Sequence, residues 1–172
     1  MAFSTDLQIE LIATGEKAGL WGTITNNNLQ ILELASSGYF STAALATGNL
    51  TLQLDNGSAA GTTTASGKNL MIEVTGTLTA NRVITMPTGA ERIFIVKDST
   101  VRSSSNFTIG VQNVGATTGI VPLTSGASTI YYTDGTTADS MKLLGVLNKS
   151  LYNVVGGTNS PYTAIAGDTL FV

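Results

Sequence analysis

The stretch NRVITMPTGAERIFIVK (Asn81–Lys97) decides the fold class of this chain. Arg82–Met86 and Ile93–Val96 are short runs rich in β-branched and apolar residues, and Pro87-Thr88-Gly89 between them carries turn chemistry. Stiff β-branched side chains suit a pleated, half-buried surface, and proline and glycine punctuate it. The reading is strand, turn, strand. Outward from there the pattern continues. Asn49–Leu54 (NLTLQL) alternates polar and apolar residues and closes on Asp55-Asn56-Gly57. Asn69–Val74, Phe107–Val111 and Thr129–Tyr132 are further strands, with turns at Thr124-Ser125-Gly126 and Asp134-Gly135. Tyr131 and Tyr132 point to opposite faces, so at most one is buried. Short strands separated by turns predict a mainly β architecture, a β-sandwich-like domain over residues 41–150. NLTLQL, NLMIEV and NFTIGV share a leading Asn and an alternation, but no fixed period joins them, so a solenoid is not supported. Lys142–Leu147 fits a strand or a short helix equally.

The first forty residues differ. Asp6–Ile12 alternates and predicts a strand, followed by a loop at Gly15–Gly22 that holds the one tryptophan, Trp21. Asn27 with Gln30 resembles a capping box, and the apolar spacing of Leu29, Leu32 and Ala35 predicts a helix of about ten to twelve residues ended by Gly38. Residues 1–40 thus read as a strand–loop–helix segment and 151–172 as a linker leading into a further β segment. Asp168–Val172 begins an apolar strand with nothing after it, as expected of a fragment or of a strand that pairs with another chain. Trp21 has two readings, a core anchor beneath the helix or a docking residue, since Trp is enriched among interface hot spots.

Composition narrows the function. Of 172 residues, 42% are hydrophobic and 11% charged, and none is His or Cys. Ordinary soluble domains carry about 25% charge. The deficit means either a surface covered by other copies or partners, or one that relies on hydroxyls and amides. The eight Lys and Arg are scattered and the net charge is −3, which argues against nucleic acid, whose phosphates need clustered cations. No apolar stretch approaches the roughly 20 residues that span a bilayer, and no secretory signal opens the chain. Without His, a serine nucleophile has only Lys as base, and Ser66-Gly67-Lys68 and Ser140-Met141-Lys142 lack the S-x-x-K spacing. Gly61–Asn69 imitates a phosphate loop but has five residues between its glycines and Asn69 in place of the hydroxyl. The acids are dispersed, with Asp98, Asp134, Asp139 and Asp168 at turns. No catalytic, cofactor or metal site is expected.

Leu11–Leu32 (LIATGEKAGLWGTITNNNLQIL) resembles the N-terminal signature of tail-fibre and virion structural proteins of tailed phages, particularly marine and cyanobacterial ones. Gly15, Glu16, Gly19, Trp21, Gly22, Thr23, Asn26, Asn28 and Leu29 match. Asn81–Lys97, Asn106–Val111, Tyr132–Thr136 and Ser160–Val172 are similar to the same group, while Ser99–Asn106 and the stop at Val172 depart from it. The resemblance implies a virion component, trimeric, partnered by tail, adaptor or capsid proteins, with attachment through the N-terminal segment. Trp21, Asn26, Asn28, Leu29 and Leu32 are the interaction residues it singles out. It leaves two roles open, a virion-proximal tail fibre and a capsid decoration protein. A polysaccharide-cleaving enzyme, the third class, would need acids gathered on one face.

Overall fold

A computed structural model describes residues 2–54, 65–89 and 91–147. Its secondary structure is mainly strand with one α-helix, as the sequence predicts. The expectations for residues 151–172 and for the closing turn after Leu54 lie outside the described residues.

The chain winds three times through the same set of sheets. β3 (Tyr39–Thr42), β5 (Met71–Val74) and β8 (Arg92–Asp98) pair in parallel. So do β4 (Leu50–Thr51), β7 (Arg82–Met86) and β10 (Ile109–Asn113). On the third side β6 (Thr77–Leu78) and β9 (Val101–Arg102) pair in parallel, with the 3-10 turn Ala44–Ala46 against β6. This is a short solenoid-like stack, which corrects the expectation drawn from the missing period. The offsets are unequal: Tyr39 pairs with Met71, Met71 with Ile95 and Arg82 with Ile109. The unequal offsets erase the period from the sequence. A trace of it survives in asparagine. Asn49 Oδ1 accepts the Val83 amide at 3.0 Å, and one coil later Asn81 Oδ1 accepts the Thr108 amide at 3.0 Å.

The last strands turn back antiparallel. β11 (Val121–Leu123) pairs with β10, β12 (Ser128–Thr133) with β8, and β13 (Lys142–Leu147) with β12, which settles Lys142–Leu147 as a strand. The result is a five-stranded sheet, β13-β12-β8-β5-β3, and a four-stranded one, β11-β10-β7-β4. One apolar core lies between them: Ile72, Val74, Phe94, Val96 and Tyr131 from the first sheet meet Leu50, Ile84, Met86, Ile109 and Val111 from the second. Burying each of these side chains is worth about 1.5–3 kcal/mol. Phe94 and Tyr131 stack at 5.7 Å, and the Tyr131 hydroxyl donates to Pro122 O at 2.9 Å. Tyr131 is buried and Tyr132 half-buried, as alternation requires.

Polar ties fix the corners. The Asp98 carboxylate, fully buried, accepts from Arg102 Nη2 at 2.6 Å and from the Thr100 amide at 3.0 Å. Arg102 also donates to Phe107 O and to Ser125 Oγ. Gly76 (φ +90) turns the chain from β5 to β6, where a Cβ-bearing residue would be strained.

The N-terminal segment departs from its predicted form. Within Asp6–Ile12 only Glu10–Leu11 is strand (β2), paired with Ala2–Phe3 (β1), and Gln8 at φ 56 breaks the alternation. Helix α1 runs Trp21–Ser37, so Trp21 lies in the helix and not in a loop, and Asn26, Asn27 and Asn28 are interior residues and not caps. It runs straight into β3, which straddles the expected domain boundary at residue 40. Gly38 follows the helix in extended conformation, not left-handed. Its lack of a side chain is still required, because a Cβ there would lie 2.5 Å from Leu34 O.

Candidate interaction site

The helix is buried along one narrow line. Ile24 and Ile31, seven residues apart, are its buried side chains. Asn28, between them, donates through Nδ2 to Glu10 O and accepts the Glu10 amide at Oδ1, both at 2.9 Å. An asparagine side chain thus pairs with β2 as a neighbouring strand would. The capping-box reading of Asn27 with Gln30 fails because both residues lie inside α1, which begins at Trp21. Lys17 Nζ meets the buried Glu10 carboxylate at 3.1 Å and ties the preceding turn to the same point. At the other end Leu34 O accepts the Leu70 amide at 3.0 Å. Beneath it Arg92 donates to the carbonyls of Gly67, Lys68 and Asn69. Burial pushes the Arg92 guanidinium down to about 10, still protonated at neutral pH.

The flank of α1 next to this line is apolar and open. Trp21 is 63% exposed, Leu29 57% and Leu32 42%. At 3.6 residues per turn these three share one stripe, and exposed Leu20 lies just ahead of the helix. The core-anchor reading of Trp21 is therefore corrected. Three of the five singled-out residues, Trp21, Leu29 and Leu32, come together on this stripe. Asn26 is exposed elsewhere on the helix, and Asn28 serves the attachment of the helix to β2.

A second apolar surface was not anticipated from the sequence. It is the outward face of the five-stranded sheet. Registers align Met71, Ile95 and Ile130 in one row across β5, β8 and β12, with Ile93 and Tyr132 in the next row and Tyr39 beside Met71. Glu73 borders this surface. Its carboxylate accepts from Lys97 Nζ at 2.7 Å, Ser99 Oγ at 2.6 Å and the Tyr39 hydroxyl, and is held at about 2 by these donors. The signal in the sequence was the unbroken apolar run Ile93–Val96. Such a run is what a parallel strand covered on both faces shows.

The remaining carboxylates tie turns. Asp139 Oδ1 accepts the amides of Thr117, Thr118 and Gly119 at 3.1, 3.1 and 2.8 Å, and these bonds lower its pKa. Asp134 Oδ1 accepts those of Thr136 and Thr137 and is held below the usual carboxylate range, chiefly by the Thr137 amide. Ser66–Lys68 forms a 3-10 turn that leads into a strand, unlike a phosphate loop, which opens a helix. Among the described residues no three acids gather in a metal-binding cluster, and no helix is long and apolar enough to cross a membrane.

Compared with known proteins, the chain matches no family model, no curated protein and no solved structure.

Proposed function

We propose that this chain is a structural component of a tailed-phage virion, the virion-proximal part of a tail fibre. In this reading it anchors to the tail, supports host attachment and catalyses no reaction. Its two-sheet, sandwich-like body works as a trimer, and the N-terminal segment makes the attachment. The carrying observation is the exposed stripe of Trp21, Leu29 and Leu32 on a helix whose adjoining line, Ile24 and Ile31, is buried. Aromatic and leucine side chains left in water beside a fixed scaffold suit a partner that buries them. Repeating that contact around an oligomer multiplies weak sites into firm attachment. The low charge, 11%, agrees with a surface meant for contact.

Trp21→Ala tests the reading. Because Trp21 is mostly exposed, the melting temperature should not move, while incorporation into particles should fall sharply. Normal incorporation of that variant would remove the role. Labelling the chain on intact particles for electron microscopy separates the two virion roles: a few copies at the tail agree with a fibre, and dense coverage of the head with a decoration protein.

A further inference from the structure

We infer that Glu10 and Lys17 are the positioning residues of the attachment stripe: their ion pair fixes where α1 begins, and so whether Trp21 stands beside Leu29 and Leu32. The inference rests on the stripe named in the proposed function and adds what keeps it whole.

Local preference favours a later start for the helix. The residue ahead of α1 is Leu20, which makes no side-chain cap, and the first turn carries no acid. Gly22 and the β-branched Thr23, Ile24 and Thr25 follow, all weaker helix formers than leucine or alanine. Asparagine is a preferred cap and leucine is not, and the Asn27–Gln30 box lies further on. Leu29, Leu32, Glu33, Leu34 and Ala35 are strong helix formers. Between Trp21 and Asn26 the buried side chain is Ile24, and the others are exposed or half-buried. By local preference alone the helix would start at the box.

It starts instead at Trp21, and the turn before it shows how. Lys17 O accepts the Leu20 amide at 2.9 Å, and Leu20 O accepts the Ile24 amide at 3.1 Å. The turn thus runs directly into the first helical bond. Lys17 sits at φ 61, in the left-handed region that side chains disfavour. Gly15 and Gly19, in the same loop and the same region, are glycines. A lysine where glycine is easier points to a use for its side chain. Lys17 Nζ lies 3.1 Å from Glu10 Oε1, and the Glu10 side chain is 2% exposed. Glu10 is in turn fixed on the helix by its two backbone bonds to Asn28.

These ties close a ring. Asn28 holds Glu10, Glu10 holds Lys17, and Lys17 sets the turn that opens α1. The ring measures the helix back from Asn28 to Trp21. With the ion pair gone the ring is open and the Asn27–Gln30 box takes over. Residues 21–26 then leave the helix, and Trp21 parts from Leu29 and Leu32.

The test is amide hydrogen exchange on the full chain. In the wild type the amides of Ile24–Asn27 should be protected along with those of Ile31–Ala35. Lys17→Gly should speed exchange at Ile24–Asn27 by about tenfold or more and leave Ile31–Ala35 unchanged. Glycine adopts a positive φ without cost, so a turn that served only through its backbone would hold better with it. Lys17→Arg, which keeps the cation, should keep the wild-type pattern. Glu10→Gln combined with Lys17→Met leaves no buried charge unpaired and should still behave like Lys17→Gly. Slow exchange at Ile24 in Lys17→Gly or in the double variant overturns the inference. Equal speeding of Ile31–Ala35 also overturns it, because the whole helix has then come loose. Particle incorporation of Lys17→Gly should fall as it does for Trp21→Ala. Fast exchange at Ile24 with normal incorporation leaves the ion pair in its role and removes the stripe from attachment, so the two failures are told apart.

Discussion

The coiled body and the N-terminal segment are built on different economies of contact. In the body, each coil is held by ladder hydrogen bonds to its neighbours, by a shared apolar core and by buried corner ties such as Asp98–Arg102. The segment before residue 38 is tied within itself by Asn28 on Glu10, buries two helix isoleucines, and meets the body through one backbone bond from the Leu70 amide to Leu34 O and one side-chain bond from Gln8 to Gly89 O. The difference teaches that fastening and display are divided: the body fixes geometry, and the helix carries exposed apolar side chains on a light mounting. Stability need not be uniform, and units with few buried contacts open first.

The sharpest way to break the comparison is to empty the body. Phe94→Ala removes a fully buried ring stacked on Tyr131 and should cost about 3–5 kcal/mol in thermal or denaturant unfolding. A loss that small core repacking could explain, under about 1.5 kcal/mol, would show the body to be loosely filled. Next comes Asp98→Ala, which leaves the Arg102 guanidinium mostly buried without its carboxylate. The expected loss is about 3 kcal/mol, and replacing both residues with apolar ones should recover part of it.

A smaller effect belongs to the segment. Asn28→Ala removes both bonds to Glu10 and should cost about 1–2 kcal/mol. Hydrogen exchange should reveal it in residues 21–37 while the amides of β5, β7 and β8 keep their protection. Faster exchange throughout the body would mean that helix and coils form one cooperative unit. The smallest effect is in acid. Asp139 sits below its ordinary pKa of 3.8 in the folded state because backbone amides hold its charged form. Its contribution is complete above that value and fades as pH falls through the lower folded value, since only the unfolded chain takes up the proton readily. Asp139→Asn should therefore lower the melting temperature modestly in the neutral region and flatten the acid limb below pH 3.8, where the wild type loses the same contribution.

How much of this was readable in the sequence follows from the length of each signal. Arg82–Met86 was predicted at its observed bounds because a β-branched, apolar run stops at the turn residues Pro87-Thr88-Gly89. Thr77–Leu78 and Val101–Arg102 were missed because two residues cannot alternate. Pairing was illegible for another reason: partners are one coil apart, and corners of unequal length scramble the distance between them. The helix begins at Trp21, before the predicted capping box at Asn27, because tertiary contacts of Ile24 and Asn28 outweigh the weak local preference of Thr23, Ile24 and Thr25. For the candidate site, helical spacing grouped Leu29 and Leu32 correctly, but nothing local says which side of a helix faces water. The apolar outer face was written in Ile93–Val96 all along, as a run without alternation.

The return of the chain at the third coil has a consequence for how copies can stack. A parallel coil offers its backbone as a template, and identical coils could in principle continue it end to end into a filament. Here β11 and β12 occupy that rim running the opposite way, and the pairing of β12 with β13 slips its register between Ile130 and Tyr131. A newcomer of the same kind meets reversed polarity and a kink where it would need a matching rung. The described coils therefore carry their own terminator at that rim.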